Sequence, residues 1–273
     1  MKIFKIFLLT SAIVTMASCD TIVDLEDPLK GKITLKTDWS KRSEGIPQPA
    51  KYSVIIDNQT LNFTETTNPL PELTAGTYPI HIYNSPENIT ISGTTAKVAT
   101  TSNKVEAFPG WLFTSITEAV YSDFKEETIT ATMVQQVRQL TFELDIKGGD
   151  PANLQSVEAS LTGVAKSMDF KTNTHTGTGM SVISVLTKEG NKLKGTVRLI
   201  GLATEAQILT LDIIYSTGKP QQIVTDISSQ LSNFNHNKYK AITLSNNMEI
   251  TNQAGFEAIV TDWKVNEENI IVN

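Results

Sequence analysis

The sequence predicts an all-β chain built as two tandem β-sandwich domains. Three observations carry this. Short segments with period-two alternation of apolar and polar residues recur from Lys32 onward, turns rich in Gly, Pro and Asn separate them, and no strand–helix repeat of the α/β kind appears. The division falls near Gln135. The expected organisation is a signal peptide at 1–18, an acidic tether at 19–31, an N-terminal sandwich at 32–135 and a C-terminal sandwich at 136–273.

Each element has a local reason. Lys32–Trp39 puts Ile33, Leu35, Thr37 and Trp39 on one face. Gly45, Pro47 and Pro49 make 41–49 a loop. Tyr52–Ile56 is a strand, Asp57 and Asn58 turn it, and Leu61 and Phe63 begin the return, which Pro69 and Pro71 end. Gly76–Tyr83 alternates again. Pro79 removes a ladder donor there, which predicts an edge strand or a bulge. Asn88–Ser92 is the next strand. The stretch Phe108–Phe124 alternates poorly and reads as a long ordered loop or a short helix near Ser115–Val120. Thr128–Val134 and Arg138–Ile146 alternate, with Gln135-Gln136 as the joint between them.

Gly148–Pro151 is a turn, and Leu154–Leu161 is a short strand or helix. Met180–Leu186 and Leu193–Leu199 are strands around a hairpin turn at Lys188–Asn191. Leu209–Tyr215 is the clearest strand of the second half. Gly218–Pro220 turns it into Gln222–Thr225, and Ile227–Phe234 reads as a short helix. Lys240–Leu244 and Phe256–Val260 complete the set.

The N-terminus has a different character. Lys2 and Lys5 precede an apolar run from Ile6 to Met16, which closes on Met16-Ala17-Ser18-Cys19. A basic start, a short apolar stretch and small residues make an export signal, too short for a stable membrane span. Small residues ending on Cys resemble the lipobox cut by lipoprotein signal peptidase. That resemblance implies a diacylglycerol on the Cys19 thiol and a third acyl chain on its amino group. Each buried methylene contributes about 0.8 kcal/mol, so three chains suffice for lasting attachment. The alternative is an ordinary secretory signal with a chance cysteine. Cys19 is the sole cysteine, so no disulfide is available and stability must come from core burial.

Asp20, Asp24, Glu26 and Asp27 follow the cysteine with no base among them. They form a solvated tether or, by resemblance to the acid-rich tails of Bacteroidota lipoproteins, a surface-export signal. In other Gram-negative bacteria an Asp at position 20 favours inner-membrane retention. The formal charge is −6, and −8 without Lys2 and Lys5, which argues against nucleic-acid binding. No second apolar stretch approaches the length of a membrane helix.

The residue inventory supplies no chemistry. His81, His175 and His236 lack the mutual spacing of metal ligands, and His81 is expected to point to solvent. Gly-x-Ser-x-Gly and P-loop patterns are absent, and no general acid/base pair stands out. The expectation is a non-enzyme without cofactor, metal or identified small-molecule substrate. Trp39, Trp111 and Trp263 form either core packing, which the shared face of Trp39 with Ile33 and Leu35 favours, or a sugar-stacking platform.

The ordered set of lipobox, acidic tether, Lys36–Trp39, Leu73–Asn84, the Trp111 segment, Arg138–Phe142 and Ile259–Trp263 resembles the FimB-type fimbrial anchors, the fimbrillin-associated lipoproteins of Bacteroidales. The resemblance implies transthyretin-like sandwiches, attachment to the outer membrane through acyl chains on Cys19, and a non-enzymatic role with fimbrial subunits at a pilus base or tip. The runner-up is a surface glycan-binding lipoprotein. In that family subunits join by exchanging strands, so that main-chain hydrogen bonds supply affinity. Two segments bear on this. Lys41-Arg42 is a conceivable processing site after the first strand. At the other end Val265 and Ile270–Val272 extend the strand begun at Phe256, pairing within the second domain or serving as a donor to a neighbour.

Overall fold

The computed structural model describes residues 30–176, 178–217, 219–251, 257–260 and 263–268. The signal peptide, Cys19, the acidic residues 20–27, Gly218, Phe256 and the tail 269–273 lie outside these. The described regular elements are strands, apart from one 3-10 turn at Pro151–Asn153. The alternation seen in sequence becomes burial in the first strand, where Ile33, Leu35, Thr37 and Trp39 are buried and their neighbours are exposed or half-buried.

The strands up to residue 135 are β1 (Lys30–Lys41), β2 (Tyr52–Ile56), β3 (Gln59–Phe63), β4 (Thr67–Pro69), β5 (Leu73–Thr74), β6 (Gly76–Tyr83), β7 (Ile89–Ser92), β8 (Thr95–Val98), β9 (Thr100–Thr101), β10 (Lys104–Val105), β11 (Phe113–Tyr121) and β12 (Glu126–Gln135). One layer runs β3-β2-β6-β11. The other runs β12-β1-β4, with β5 also on β1. The layers meet only where Phe113 and Thr114 pair with Gln135 and Val134. Between them Leu35, Val54, Ile80, Ile82 and Met133 close a core with Trp39, which meets Tyr52 and Phe113 edge-on at 6.0 and 5.6 Å.

The strands after residue 135 are β13 (Arg138–Gly148), β14 (Leu154–Val164), β15 (Ser167–Asp169), β16 (Thr174–Thr176), β17 (Met180–Glu189), β18 (Lys192–Leu199), β19 (Ile208–Tyr215), β20 (Gln221–Asp226), β21 (Ala241–Thr251), β22 (Glu257–Val260) and β23 (Lys264–Glu268). One layer is β20-β19-β14-β17, the other β18-β13-β21 with β22 and β23 end to end along β21. They are continuous only at the β17–β18 hairpin, Thr187–Glu189 against Lys192–Lys194. The fold is all-β, two β-sandwiches in tandem, as expected. The units share one signature: each opening strand pairs in parallel with a later one, β1 with β12 and β13 with β21.

The excursion from β7 to β10 leaves the first core. Ile89, Ala96, Val98 and Val105 belong to the second hydrophobic cluster, β8 pairs β15, and β10 pairs β17. A small sheet β16-β15-β8-β7 results, and it stitches the units together.

Several local expectations change. The candidate helix at Ser115–Val120 is strand β11, whose ladder to β6 runs from Thr114–Tyr83 to Tyr121–Gly76. Ile227–Phe234 is a run of turns rather than a helix, with only isolated backbone bonds such as Leu231 N–H to the Ile227 carbonyl at 3.1 Å. Leu154–Leu161 resolves as strand β14. Pro79 sits in a strand flanked on both sides, but the β2 pairing stops at His81, so the proline faces a stretch paired on one side only. The strand expected to continue past Trp263 is two strands, broken where the buried Trp263 turns inward.

Gly149 closes the β13 end with φ +78°, and a Cβ there would collide with the Ile250 carbonyl of β21. Gly149→Ala should therefore cost about 1–3 kcal/mol. The check is a urea titration, in which the midpoint should fall while the slope stays unchanged.

Candidate subunit-contact surface

A sheet that must join a neighbour needs an unpaired edge. Among the described residues the outer strands are β3 and β4 in the first unit, with β5 also on β1, and β20, β22 and β23 in the second. All five residues of β23 are exposed, including Val265, and its backbone ladder among the described elements runs to β21 alone. Its sequence, Lys264-Val-Asn-Glu-Glu268, has the charged character of an edge guarded against indiscriminate pairing. Thus 264–268 pairs inside its own unit, as the internal-strand alternative expects.

Beneath this edge lies a buried polar junction. Arg138, at the first position of β13, is 0% exposed. Its Nη1 donates to the carbonyls of Asn233, Phe234 and His236 at 3.0, 2.8 and 2.8 Å, and its Nε to Lys240 O at 2.6 Å. Its Nη2 donates to Glu267 Oε1 of β23 at 2.9 Å. Burial lowers the guanidinium pKa, and Glu267 opposes that shift. Lys238 is also buried. Its Nζ reaches Gln136 Oε1 at 3.3 Å, the Ile200 carbonyl at 3.2 Å, His175 Nε2 at 3.2 Å and Met168 Sδ at 3.6 Å. Burial first, then the Arg138 charge, lowers Lys238 to about 7. His175 is lowered to about 4 by burial and by Lys238.

The two joint glutamines complete the junction. Gln135 accepts from Ser43 N–H at 3.0 Å and donates to the carbonyls of Val137 and Lys238 at 2.9 and 3.0 Å. Gln136 donates to Thr114 Oγ1 at 2.9 Å. Ser43 also donates to the Tyr239 carbonyl.

The structure distributes the residues singled out in sequence. Cys19 lies outside the described residues. Trp39 and Trp263 are buried, while Trp111 is half-buried against both cores with the Arg198 guanidinium 4.5 Å from its ring centre. They form no common platform. His81 is half-buried rather than free in solvent, and desolvation lowers its pKa, with Lys171 and Asp169 of the small sheet's turn acting on it. No cluster of metal-ligating residues occurs among the described residues. Arg42 donates to the Ile46 carbonyl, and its neighbour Ser43 is buried, so the Lys41-Arg42 pair sits in a pinned loop. The Arg138–Lys238 junction is absent from the sequence-level candidates. Its one signal there is an arginine at an inward position of an alternating strand, beside Leu140 and Phe142.

The described residues thus form two tandem sandwiches with a charged outer strand at β23 and a buried polar joint between the units. Residues 30–269 match the family model described as fimbrillin-A associated anchor proteins Mfa1 and Mfa2, and the chain belongs to that family. A comparison with curated proteins finds no match. Among solved structures, the fimbrial anchor protein Mfa2 from Porphyromonas gingivalis superposes with TM-score 0.59 at 12% identity, covering 87% of this chain and 97% of that one. A candidate adhesin from Bacteroides ovatus gives 0.57 at 16% identity over 81% and 90%. A candidate polysaccharide-binding protein from Bacteroides thetaiotaomicron gives 0.59 at 10% over 87% and 98%. The chain is a fimbria-associated, adhesin-like protein of a family that is not an enzyme family.

The junction makes two predictions. Arg138→Met takes the shared donor from four carbonyls at the joint and should cost about 3 kcal/mol or more, whereas Glu267→Gln, at a half-exposed partner, should cost less than about 1 kcal/mol. Chemical denaturation of both variants checks the contrast.

The second concerns pH. A basic group with a lowered folded pKa lets the unfolded chain hold more protons, so stability rises with pH across the gap. That gap runs from about 4 to 6.5 for His175 and from about 7 to 10.5 for Lys238. Urea midpoints should climb through both windows, and Lys238→Met should remove the upper climb and shorten the lower one, because the Lys238 charge helps to lower His175.

Proposed function

We propose that this protein is a lipid-anchored fimbrial anchor, held in the outer membrane by acyl chains on Cys19 and bound to a fimbrial subunit through a sheet edge. The observation that carries the reading is the family match from residue 30 to 269, which takes in both sandwiches and every described edge strand. The lipobox ending at the sole cysteine supports the attachment. The chemistry of the two ends divides the labour: acyl chains give irreversible partition, and backbone hydrogen bonds give a neighbour's strand affinity without a dedicated side-chain pocket. The units 32–135 and 136–273, joined at Gln135-Gln136, would carry the contact surface outward from the tether at 19–31. On this reading the protein performs no reaction.

Three experiments test it. Cys19→Ala should remove the protein from the detergent phase or leave it unprocessed; unchanged partitioning after signal removal contradicts the lipid reading. Deleting the protein should leave pili that are shed or of abnormal length, and intact attachment contradicts the anchor role. Removing 264–273 tests the edge. Because β23 pairs with β21 and receives Arg138, the truncation should lower the stability of the second unit. A fully stable truncation that no longer associates with fimbriae would instead make the tail a donor strand.

A further inference from the structure

The junction opens to solvent as a cleft of about 640 Å³ between the ends of β1 and β12 and the turn around residues 235–239. Its walls include Lys41, Lys171, His236 and Lys238, and no Asp or Glu lines it. The chain has 29 acidic against 23 basic residues, so an acid-free, lysine-bearing hollow departs from its average surface. Carboxylates on neighbouring segments have partners of their own, and Asp169 also attracts Lys171. Asp38 holds Ser40 and accepts from Thr132, Asp169 holds Thr94 and the turn at Lys171 and Thr172, and Glu267 pairs with Arg138. The ammonium of Lys238, 6% exposed, meets only neutral acceptors. A concave wall that carries lysines and no carboxylate concentrates positive potential on whatever enters.

Beside the apolar Ile116, Val134 and Phe170, the lining carries the hydroxyls of Ser115 and Thr132 and the amides of Asn173 and Asn237. Tyr239 adds an aromatic face, with Lys41 Nζ 5.6 Å from its ring centre. The volume lies within the range of small-ligand sites.

We infer that this cleft binds a carboxylated sugar, the acidic unit of a glycan chain. Lys41 and Lys171 supply cations to the carboxylate. The neighbouring hydroxyls and amides match the sugar's own hydroxyls, and Tyr239 offers a flat apolar face. A peptide takes its affinity from main-chain bonds along a strand edge, whereas this hollow offers side-chain amides and hydroxyls. The acids at 24–27 are not the occupant. The strand from Lys30 to Lys41 spans about 36 Å at roughly 3.3 Å per residue. Asp24, the acid of the 24–27 group farthest from Lys30, could reach no more than about 22 Å even fully extended. The inference does not rest on the anchor reading, since it concerns a hollow apart from the acyl chains and the outer edge of β23.

The test is calorimetric titration of the full-length chain, purified in detergent, with galacturonic-acid oligosaccharides, a sialylated oligosaccharide, neutral galactose oligosaccharides and poly-glutamate. At least one carboxylated sugar should bind, about tenfold or more tighter than the neutral control, and binding should weaken with added salt. The Lys41→Gln/Lys171→Gln double variant, altered at two exposed side chains, should keep its thermal midpoint and lose about tenfold or more of that affinity. Four results would each overturn the inference: no binding of either acidic sugar by folded protein, equal binding of the neutral sugar, undiminished binding by the double variant, or poly-glutamate binding as tightly as the best sugar.

Discussion

The guanidinium of Arg138 is the constraint around which the joint between the sandwiches is built. Removing a cation from water costs several kcal/mol unless every donor is satisfied. Here four carbonyls and one carboxylate satisfy it, drawn from the turn at 233–240 and from β23. That turn has no regular secondary structure to hold its shape, so the carbonyls that Arg138 collects act as its internal frame. Lys238 follows from the same frame. Its backbone carbonyl is held by Gln135 and its ammonium by Gln136. The chain between β12 and β13 is thereby fixed against a turn about one hundred residues later in sequence, and the short Gln135–Val137 link acts as a bracket rather than a flexible hinge.

Much of this was legible in the sequence because the physics was local. Period-two alternation identified β1, β6, β13 and β19, since each has one face in a core and one in solvent. It failed at β11, where Phe113, Thr114 and Ser115 are all buried in succession. That strand turns the corner between the two layers, so consecutive residues are covered from both sides and the alternation vanishes. The turn at 227–234 imitates a helix because Ile227, Leu231 and Phe234 fall at helical spacing. They reach the second core as one apolar cluster without repeating hydrogen bonds behind them. The polar junction was illegible for another reason. Arg138, His175 and Lys238 are ordinary surface residue types in sequence, and only long-range pairing brings them together.

The excursion from β7 to β10 also escaped the sequence, because nothing in a short strand reveals which core it will join. Its consequence is mechanical. With Ile89, Ala96 and Val98 in the second core and the flanking β6 and β11 in the first, the two sandwiches share chain in both directions. Trp111 packs on both clusters, and its carbonyl is held by Asn84 Nδ2 at 2.8 Å, while Asn84 Oδ1 accepts from Phe113 N–H at 2.7 Å. A load applied to one unit passes into the other through covalent crossings and a buried ring as well as through the Arg138 bracket.

Under the anchor reading, that load enters at the N-terminus and leaves through a partner. The opening strand then takes the first tension, and its pairing geometry decides how it yields. β1 lies parallel to β12 from Lys32–Glu126 to Lys41–Val134, with β4 and β5 on its other side. Tension from Cys19 pulls β1 back along its own axis while the Gln135 end of β12 is held at the joint. The ladder is therefore loaded in shear, and its hydrogen bonds share the force instead of opening one after another. Ile33, Leu35 and Trp39 would have to be dragged out of the core in the same motion. A protein that carried load through an antiparallel hairpin end would peel instead. The parallel placement of the first strand, repeated by β13 against β21, thus suits a tandem module whose task is to remain folded under tension.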